Sequence, residues 1–351
     1  MGVGDLPVKP PVKPMLAKAV DGFEALGGRE LVFEPKWDGF RCIAFRHDDD
    51  IELGSRNERP LTRYFPEVVS LLREHLPARC VVDGELIVAS GDHLDFAALQ
   101  QRIHPAESRI TMLAETTPAA FVAFDVLAAG EVDLRARPFS ERRAVLETMA
   151  PAFGPDVRLT PTTGDRTVAA EWFVRFEGAG LDGLIAKPPG DPYVEDRRTQ
   201  FKLKHTRTAD VVVAGYRIHK DRRGVGSLLL GLYARDGSLS HMGVAASFTT
   251  KRRTELLEEL SSVTMDDPDG HPWAAWAGSG TPNRWNAGRD QSWTAVRPEL
   301  VCEVKYGSTL GGRFRATTRF VRWRPDRDPA SCSFDQLEEP TPMPLRDVFE
   351  P

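Results

Sequence analysis

The sequence predicts two domains, a mixed α+β domain followed by a small β-barrel. The chain has 351 residues, which suits two domains of roughly 100–200 residues each better than one small core. As far as about residue 206, apolar runs typical of strands alternate with amphipathic helical segments, and beyond it strand-like runs dominate. The hydrophobic content of 41% is that of an ordinary globular protein.

The composition argues against several classes of protein. No apolar run approaches the about 20 residues that a membrane helix needs, and the first residues lack the apolar segment of a secretory signal. No two cysteines are close enough for a CxxC zinc knuckle, so a zinc module or a disulfide scaffold is disfavoured and a reducing cytoplasm is expected. The net charge is −5, yet residues 201–351 are net positive, which hints at an anionic partner.

The elements of the first domain follow from local patterns. Residues 1–14, rich in proline and lysine, predict an extended arm. Runs rich in β-branched and aromatic residues predict strands at 31–36, 39–47, 51–56, 81–89, 121–128 and 182–187. Helical spacing predicts helices at 66–76, 96–103, 140–150 and 169–180. Ser140 is the predicted N-cap of the third helix.

The second domain is predicted from a change of pattern near residues 205–210, which divides the chain into 1–206 and 207–351. Strand-like runs are found at 211–219, 227–235, 239–248, 300–307 and 314–324, and one helical run at 249–260. Five strands around one helix suit a β-barrel of the OB type. The region 266–299, rich in Trp, Gly, Pro and Asn, predicts a long loop, and the part beyond Glu338 an extended tail.

The sharpest local feature is the run Glu34-Pro35-Lys36-Trp37-Asp38-Gly39, which places a lysine at a strand end beside an acid and a glycine. Glycine permits a tight backbone turn there. One interpretation is a surface lysine before a turn, and the other is a nucleophilic amine. Because free lysine has a pKa near 10.4, a nucleophile would need nearby cations or a metal to lower it.

Further motifs follow Lys36 in a fixed order, and together they resemble the covalent nucleotidyltransferases, the superfamily of polynucleotide ligases and mRNA capping enzymes. The motifs are KWDG at 36–39, SRN at 55–57, DGEL at 83–86, FVAFD at 121–125, DGLIAK at 182–187, FKLK at 201–204 and RWRPDR at 322–327. The chain most resembles the stand-alone, two-domain ATP-dependent DNA ligases of bacteria. The fold thus implied is a nucleotidyltransferase (adenylation) domain of antiparallel sheets with helices, followed by an OB-fold domain.

The resemblance implies a role for each motif. Lys36 attacks the α-phosphate of ATP, which Lys202 and Lys204 hold from one side of their strand. Glu34 contacts adenine through its backbone, and Phe124 stacks on the ring. The other implied nucleotide contacts are Arg41, Arg56, Glu85, Lys187, Arg197 and Arg198, with Arg324, Asp326 and Arg327 at the pyrophosphate. Glu85 and Asp182 are the implied ligands of Mg²⁺ or Mn²⁺.

Two positions depart from the family pattern. Asp182 stands where the family usually has glutamate, which shortens its reach and favours metal contact through water. Arg327 stands where the family usually has lysine, which keeps the charge but changes its geometry. These departures bear on metal and pyrophosphate contacts and leave the overall reaction unchanged.

The implied substrate is nicked duplex DNA with a 5′-phosphate and a 3′-OH, sealed in DNA repair. Basic residues between 197 and 223 suggest a phosphate grip, for which the candidates are Arg217, Lys220, Arg222 and Arg223. A solvated hairpin end is the other interpretation of these four. The family further implies a cytoplasmic, nucleoid-associated monomer that works with repair proteins such as the end-binding protein Ku. It implies no association with a membrane.

Two alternative functions stay open at this point. One is an RNA ligase or a capping-type nucleotidyltransferase, against which the bacterial character of the RWRPDRDP stretch argues. The other is a non-catalytic OB-type nucleic-acid binder, which would have no need for Lys36 in its motif. An NAD⁺-dependent ligase is disfavoured, because the chain lacks the four-cysteine zinc module of that family.

Overall fold

The structure, a computed structural model, describes residues 2–267, 269–274 and 292–350. The chain forms two compact units, the first made of Met1–Lys204 with Pro340–Pro351 and the second of His205–Glu339. The first boundary lies close to the predicted one. The assignment of residues 340–351 to the second domain needs correction, because Leu345 and Val348 are buried in the core of the first unit.

The first unit contains strands and helices in alternation. Its strands are β1 (Leu16–Val20), β2 (Val32–Pro35), β3 (Phe40–His47), β4 (Asp50–Ser55), β5 (Arg79–Ile87), β6 (Ala89–Ser90), β7 (His93–Leu94), β8 (Ala120–Ala129), β9 (Val132–Asp133), β10 (Val157–Leu159), β11 (Leu184–Lys187) and β12 (Arg198–Leu203). Its helices are α1 (Pro66–His75), α2 (Phe96–Gln101), α3 (Glu107–Thr116), α4 (Phe139–Met149) and α5 (Arg166–Arg175). The predicted strands and helices are all present within a few residues.

Two sheets organise the first unit. One has the strand order β1-β12-β11-β2, and the other has the order β10-β8-β5-β3-β4, with β9 paired to β8. Apolar residues of both sheets, such as Phe33 on β2 and Val122 on β8, meet in one core cluster with Trp172 of α5. The sheets therefore share a core, and polar residues at their edges are brought to one place.

The structure adds to or corrects several local predictions. The N-terminal arm, predicted to be extended, is packed on the domain, because Leu6, Val8 and Val12 are buried against the sheet that holds β3. Ser140 is not an N-cap, since α4 begins at Phe139 after Pro138, which has the extended backbone of an N-cap residue. Helix α3 and strand β1 were not predicted, because β1 is a run of only five residues and α3 mixes polar with apolar residues.

The second unit is strand-rich, as predicted. It contains β13 (Arg207–Ile218), β14 (Val225–Tyr233), β15 (Leu239–Ala246), α6 (Thr250–Leu260), β16 (Thr294–Tyr306), β17 (Thr309–Leu310), β18 (Arg313–Phe314) and β19 (Arg319–Trp323). The sheet order is β15-β14-β13-β16-β19, and the Thr318 amide next to β19 donates to the Val244 carbonyl on β15. Much of the predicted loop over 266–299 lies outside the described residues, and its end, from Thr294, is strand.

A short helix at Arg346–Phe349 closes the described part of the first unit, where an extended tail was predicted. The four cysteines are buried free thiols. Among the described residues, no helix combines the length and the apolar character that crossing a membrane requires.

Candidate active site

A pocket of about 200 Å³ lies in the first unit and is lined by residues of both sheets. It brings together most of the residues that the motifs singled out there: Glu34, Lys36, Arg41, Arg56, Glu85, Phe124, Lys187, Arg198 and Lys202. Residues separated by more than a hundred positions thus meet around one cavity. Its lining combines lysine and arginine side chains with the aromatic ring of Phe124.

Lys36 follows the last residue of β2, and its ammonium forms an ion pair of 2.7 Å with the Asp182 carboxylate. The Lys204 ammonium pairs with the same carboxylate. Burial opposes the ionisation of Asp182, but the charges of Lys36 and Lys204 outweigh it and lower the pKa of the carboxyl. Asp182 therefore stays anionic at neutral pH and holds two lysine side chains together.

Gly39 is required for a different reason from the one predicted. Its backbone is not in the left-handed region, so no glycine-specific turn is made there. A Cβ atom at this position would instead lie 2.1 Å from the Leu86 carbonyl oxygen, where real Cβ atoms do not fit. The glycine allows β3 to start directly against β5, which brings the Lys36 motif beside Glu85.

Arg41 lines the pocket, but its guanidinium is engaged by Asp83 through two hydrogen bonds of 2.6 Å. Asp83 also accepts a bond of 2.6 Å from the Tyr193 hydroxyl. The guanidinium carbon lies 4.3 Å from the centroid of the Phe124 ring. Burial opposes the charge of Arg41, yet Asp83 raises its pKa, so the pair is a fixed part of the wall.

Lys187 is held in the same way by Glu34. Its ammonium lies 2.8 and 2.9 Å from the two carboxylate oxygens and donates to the Phe124 carbonyl at 3.1 Å. Burial raises the pKa of Glu34, while Lys187 opposes that rise. Because the Glu34 side chain is occupied in this pair, only its backbone is available to a nucleotide base.

Glu85 and Asp182 are the two predicted metal ligands. Burial raises the pKa of Glu85 to about 7, against the opposing charges of Arg41 and Lys36. No group of three His, Cys, Asp or Glu side chains within the described residues could by itself hold a metal ion. Two separate carboxylates fit Mg²⁺ that is bound mainly through phosphate oxygens and water, and they do not form a cage of their own.

The remaining predicted contacts divide into two groups. Lys202 on β12 lines the pocket with Arg56 and Arg198, and burial together with the neighbouring Lys204 lowers its pKa. Lys204 lies one residue beyond β12 and reaches Asp182, outside the pocket lining. Arg197 is exposed, and its carbonyl accepts a hydrogen bond from the Leu16 amide at 2.8 Å, which fixes β1.

Several pocket residues were missed from the sequence. They are Pro14, Met15, Leu16, Ala17, Pro35, Trp37, Ile185 and Gln200. Residues 14–17 line the pocket because β1 pairs in parallel with β12. The paired positions run from Leu16 opposite Arg198 to Val20 opposite Leu203. A parallel pairing across about 180 residues has no local signal, whereas Trp37 and Ile185 lie inside motifs that had been singled out.

In the second unit, Arg324 and Arg327 gather around a residue that the sequence did not single out. The Arg324 guanidinium lies 2.9 and 3.0 Å from the Asp210 carboxylate oxygens and 2.8 Å from Asp326. Arg327 lies 3.8 Å from Asp210. The hydrogen bond from Arg324 lowers the pKa of Asp326 to about 2. The predicted trio therefore forms one cluster of ion pairs.

The four predicted DNA contacts do not form one group. Lys220, Arg222 and Arg223 are exposed at the tip between β13 and β14. Arg217 is half-buried on β13, near His241, and the Arg313 guanidinium donates to the His241 ring at 2.6 Å. Burial, with the charges of Arg313 and Arg217, lowers the pKa of His241 to about 3. A second basic cluster, at Arg217 and Arg313, was thus missed because its members are far apart in the sequence.

Comparisons with known proteins agree with this arrangement. Residues 14–204 match the family model of the ATP dependent DNA ligase domain, and residues 221–327 match that of the ATP dependent DNA ligase C terminal region. The chain is 54% identical over 356 residues to DNA ligase C of Mycobacterium tuberculosis (strain ATCC 25618 / H37Rv), covering 98% of each chain. It is 49% identical to DNA ligase C1 of Mycolicibacterium smegmatis (strain ATCC 700084 / mc(2)155), covering 99% of each.

A solved structure from a structure-function study of Lig E DNA ligases covers 88% of this chain and 99% of its own, with a TM-score of 0.56 and 18% identity. At that identity the likeness concerns the fold alone. It supports the predicted pairing of a nucleotidyltransferase fold with an OB-type fold.

Proposed function

This chain belongs to the ATP-dependent DNA ligases, and we propose that its pocket residues carry out the first step of nick sealing, with Lys36 as the nucleophile. The protein uses ATP and acts on DNA. The observation that carries the proposal is the Lys36 ammonium, held 2.7 Å from Asp182 beside a pocket of mixed polar and aromatic lining. A binding module would not need this arrangement.

In the proposed step, the Lys36 amine attacks the α-phosphorus of ATP after losing its proton. A nitrogen–phosphorus bond forms while the bond from that phosphorus to pyrophosphate breaks, which leaves lysyl-AMP. The transfer needs an in-line geometry and positive charge on the equatorial phosphate oxygens. Lys202 faces the pocket and supplies such charge, and Asp182 keeps the Lys36 amine oriented before the reaction.

The nucleotide is proposed to lie with its base against Phe124 and the backbone of Glu34. The Arg41 guanidinium carbon and the Lys187 ammonium lie 4.3 and 5.0 Å from the centroid of the Phe124 ring, and Asp83 and Glu34 hold these two cations in place. Arg56 and Arg198 line the pocket and are proposed to contact the sugar and the phosphates. Glu85 and Asp182 would hold Mg²⁺ or Mn²⁺ together with phosphate oxygens, and that ion would supply positive charge at the phosphates.

Two later steps complete the reaction, and the second unit is proposed to take part both in the first step and in DNA binding. AMP passes from Lys36 to the 5′-phosphate of a nick, and the 3′-OH then displaces AMP to form the phosphodiester bond. Arg324 and Arg327 are proposed to contact the pyrophosphate of ATP. The exposed tip between β13 and β14 is proposed to contact DNA phosphates through Lys220, Arg222 and Arg223. Contacts of this kind give salt-dependent binding without sequence preference.

The test is transfer of radiolabel from α-³²P-ATP to protein and then to a nicked duplex, in Mg²⁺ and in Mn²⁺. Wild type should acquire label and pass it to the nick with sealing, and Lys36→Ala should acquire none, because the variant has no nucleophile. Lys251→Ala, which removes a lysine whose side chain is 88% exposed in the second unit, should behave as wild type.

The same assay separates the alternatives. Label from GTP in place of ATP, or sealing of an RNA nick in place of a DNA nick, would favour a capping enzyme or an RNA ligase. Absence of label under both metals, in protein first cleared of bound AMP with pyrophosphate, would leave a non-catalytic nucleic-acid binder. Label on Lys36→Ala would remove Lys36 from its proposed role.

The protein is further proposed to act as a monomer in the cytoplasm at the nucleoid, with a DNA-end-binding partner such as Ku. The family resemblance supports this proposal, together with the repair proteins named LigD among the relatives, one of which, from Mycobacterium bovis (strain ATCC BAA-935 / AF2122/97), is 31% identical over 326 residues. Light scattering of the purified chain, with and without Ku, checks the oligomeric state and the partner directly.

A further inference from the structure

Residues 340–351, here called the return segment, lie after the second unit in sequence but pack on the first. Leu345 is 9% exposed and Val348 is fully buried. Both belong to the core cluster that contains Phe33 and Trp37. The return segment is therefore a structural part of the unit that carries Lys36, although the two are distant in sequence.

The return segment is also tied down through its backbone. The Leu345 amide donates to the Asp92 carbonyl at 2.7 Å, and the Met343 amide donates to the Gly178 carbonyl at 3.2 Å. A Cβ atom on Gly178 would lie 1.9 Å from the Thr341 carbonyl oxygen. Only a glycine at 178 leaves room for the segment to pass, so its path is fixed by the first unit.

The end of the segment reaches the residue next to Lys36. The Phe349 ring stacks on the Trp37 indole with a centroid distance of 4.9 Å and an interplanar angle of 19°. The Arg158 guanidinium carbon lies 5.3 Å from the Phe349 ring centroid. The indole nitrogen of Trp37 donates to the Thr160 hydroxyl at 2.9 Å. The hydrogen bond fixes the edge of the indole, and Phe349 fixes its face.

Lys36 itself is held from the other side. Its amide donates to the Gly183 carbonyl at 2.9 Å, and its carbonyl accepts from the Asp182 amide at 3.1 Å. The Lys36 side chain is therefore supported in three ways: by its ion pair with Asp182, by the backbone pairing with residues 182–183 and by the clamped Trp37 that follows.

We propose that Phe349 is a positioning residue for lysine adenylation, acting on Lys36 through the stacked Trp37. This inference rests on the proposed function of Lys36 as the nucleophile. Phe349 does not line the pocket, whereas Trp37 does, so Phe349 acts on the site only through the indole, and we expect it to affect the orientation of the amine more than the binding of ATP. Misplacement of a reacting group by about 1 Å can slow a reaction roughly a hundredfold.

The experiment compares Phe349→Ala and Phe349→Tyr with wild type in single-turnover adenylation, after bound AMP has been cleared with pyrophosphate. Phe349→Ala should lower the maximal rate by roughly ten- to a hundredfold while the ATP concentration at half-maximal rate stays within about twofold of wild type. Phe349→Tyr keeps the flat ring and should restore the rate. Sealing of a nick that already carries 5′-AMP should change less than adenylation, because it does not use the Lys36 amine.

Val348→Ala is the matched control. Val348 is equally part of the return segment and is fully buried, and it is not in ring contact with Trp37. It should lower the melting temperature and leave the adenylation rate of the folded protein near wild type. Should Phe349→Ala fail to fold, Phe349→Leu, which keeps apolar volume without a flat ring, takes its place with the same expectation of a slower maximal rate.

Three results would overturn the inference. They are an unchanged maximal rate in Phe349→Ala, an equal loss of rate in Val348→Ala, and an effect of Phe349→Ala that is confined to the half-saturating ATP concentration. If wild type itself formed no lysyl-AMP, the proposed function would fail instead, so the two failures are distinguishable.

Discussion

Two ion pairs, one from each unit, differ in how far they are buried. In the first unit, Lys187 and Glu34 form a pair whose side chains are both 3% exposed. In the second, Arg322 is 60% exposed in its pair with Glu303. Exposed pairs contribute about 0–1 kcal/mol, whereas breaking a buried pair strands a charge without a partner. The Lys187–Glu34 pair of the first unit is thus closed off from water beside the pocket, whereas the Arg322 side chain of the second unit lies largely in solvent.

The largest expected effect tests the buried side of this comparison. Lys187→Met leaves the Glu34 carboxylate buried beside Phe124 without its counter-charge, so the free energy of unfolding should fall by about 3–5 kcal/mol. Urea unfolding at pH 7 measures it. Lys251→Met, at an 88% exposed side chain, should change the free energy by less than about 0.5 kcal/mol. Equal decreases in the two variants would contradict the contrast between the units.

The dependence of stability on pH sharpens the comparison, because His241 of the second unit is a half-buried histidine that stays neutral in the folded protein. Burial, with Arg313 and Arg217, lowers the pKa of His241 from 6.5 to about 3. In the unfolded chain this histidine gains a proton as the pH falls below about 6.5, and in the folded chain it does not. Wild type should therefore lose up to about 2 kcal/mol of stability between pH 7 and pH 5 through this group.

His241→Gln should remove that share of the acid sensitivity, as measured by urea unfolding at pH 7, 6 and 5. The matched control is His93→Gln, at an exposed histidine of the first unit, which should leave the pH dependence as in wild type. An unchanged slope in His241→Gln would show that the imidazole is protonated in the folded protein.

The smallest expected effect tests the exposed charges. Replacing Lys220, Arg222 and Arg223 together with alanine should weaken binding to nicked DNA regardless of sequence, since these side chains would meet only phosphates. The slope of log affinity against log salt should fall in magnitude by about 1 for each phosphate that is no longer neutralised. Titration of labelled DNA at several salt concentrations measures it. Arg235→Ala, at a 95% exposed arginine of the same unit, is the control that should keep the wild-type slope.

The sequence predicted part of the pocket lining, because several lining residues lie inside motifs whose order is characteristic, and eight further lining residues were missed. Lys36, Glu85 and Phe124 line one cavity as expected. Which charge pairs with which was not predictable. Arg41 faces Glu85 across β3 and β5 and reaches Asp83 along the diagonal, since Ile43 faces Asp83. That register follows from the packing of whole strands.

Long-range pairings were also beyond the sequence. Strand β1 pairs in parallel with β12, and this pairing places Leu16 and Ala17 in the pocket wall. The five residues of β1 form no sequence pattern that would identify β12 as the partner strand. Asp210, around which Arg324 and Arg327 gather, lies in β13, whose sequence pattern predicts a buried strand and gives no sign of a charged cluster. The apolar residues of the return segment are likewise too few to show which unit covers them. In each case the missing information is tertiary, because local propensity is the same with or without the partner.

The return segment has a consequence for how the protein is made. Ribosomes add about 5–20 residues per second, and residues 205–339 are synthesised after the first unit's main body has emerged. The face of Trp37 that Phe349 covers therefore stays without its partner for roughly ten seconds in every newly made molecule. Until then the nascent chain has Lys36 but lacks the ring that clamps the neighbouring indole, so this support of the Lys36 motif is completed only after the second unit has been synthesised.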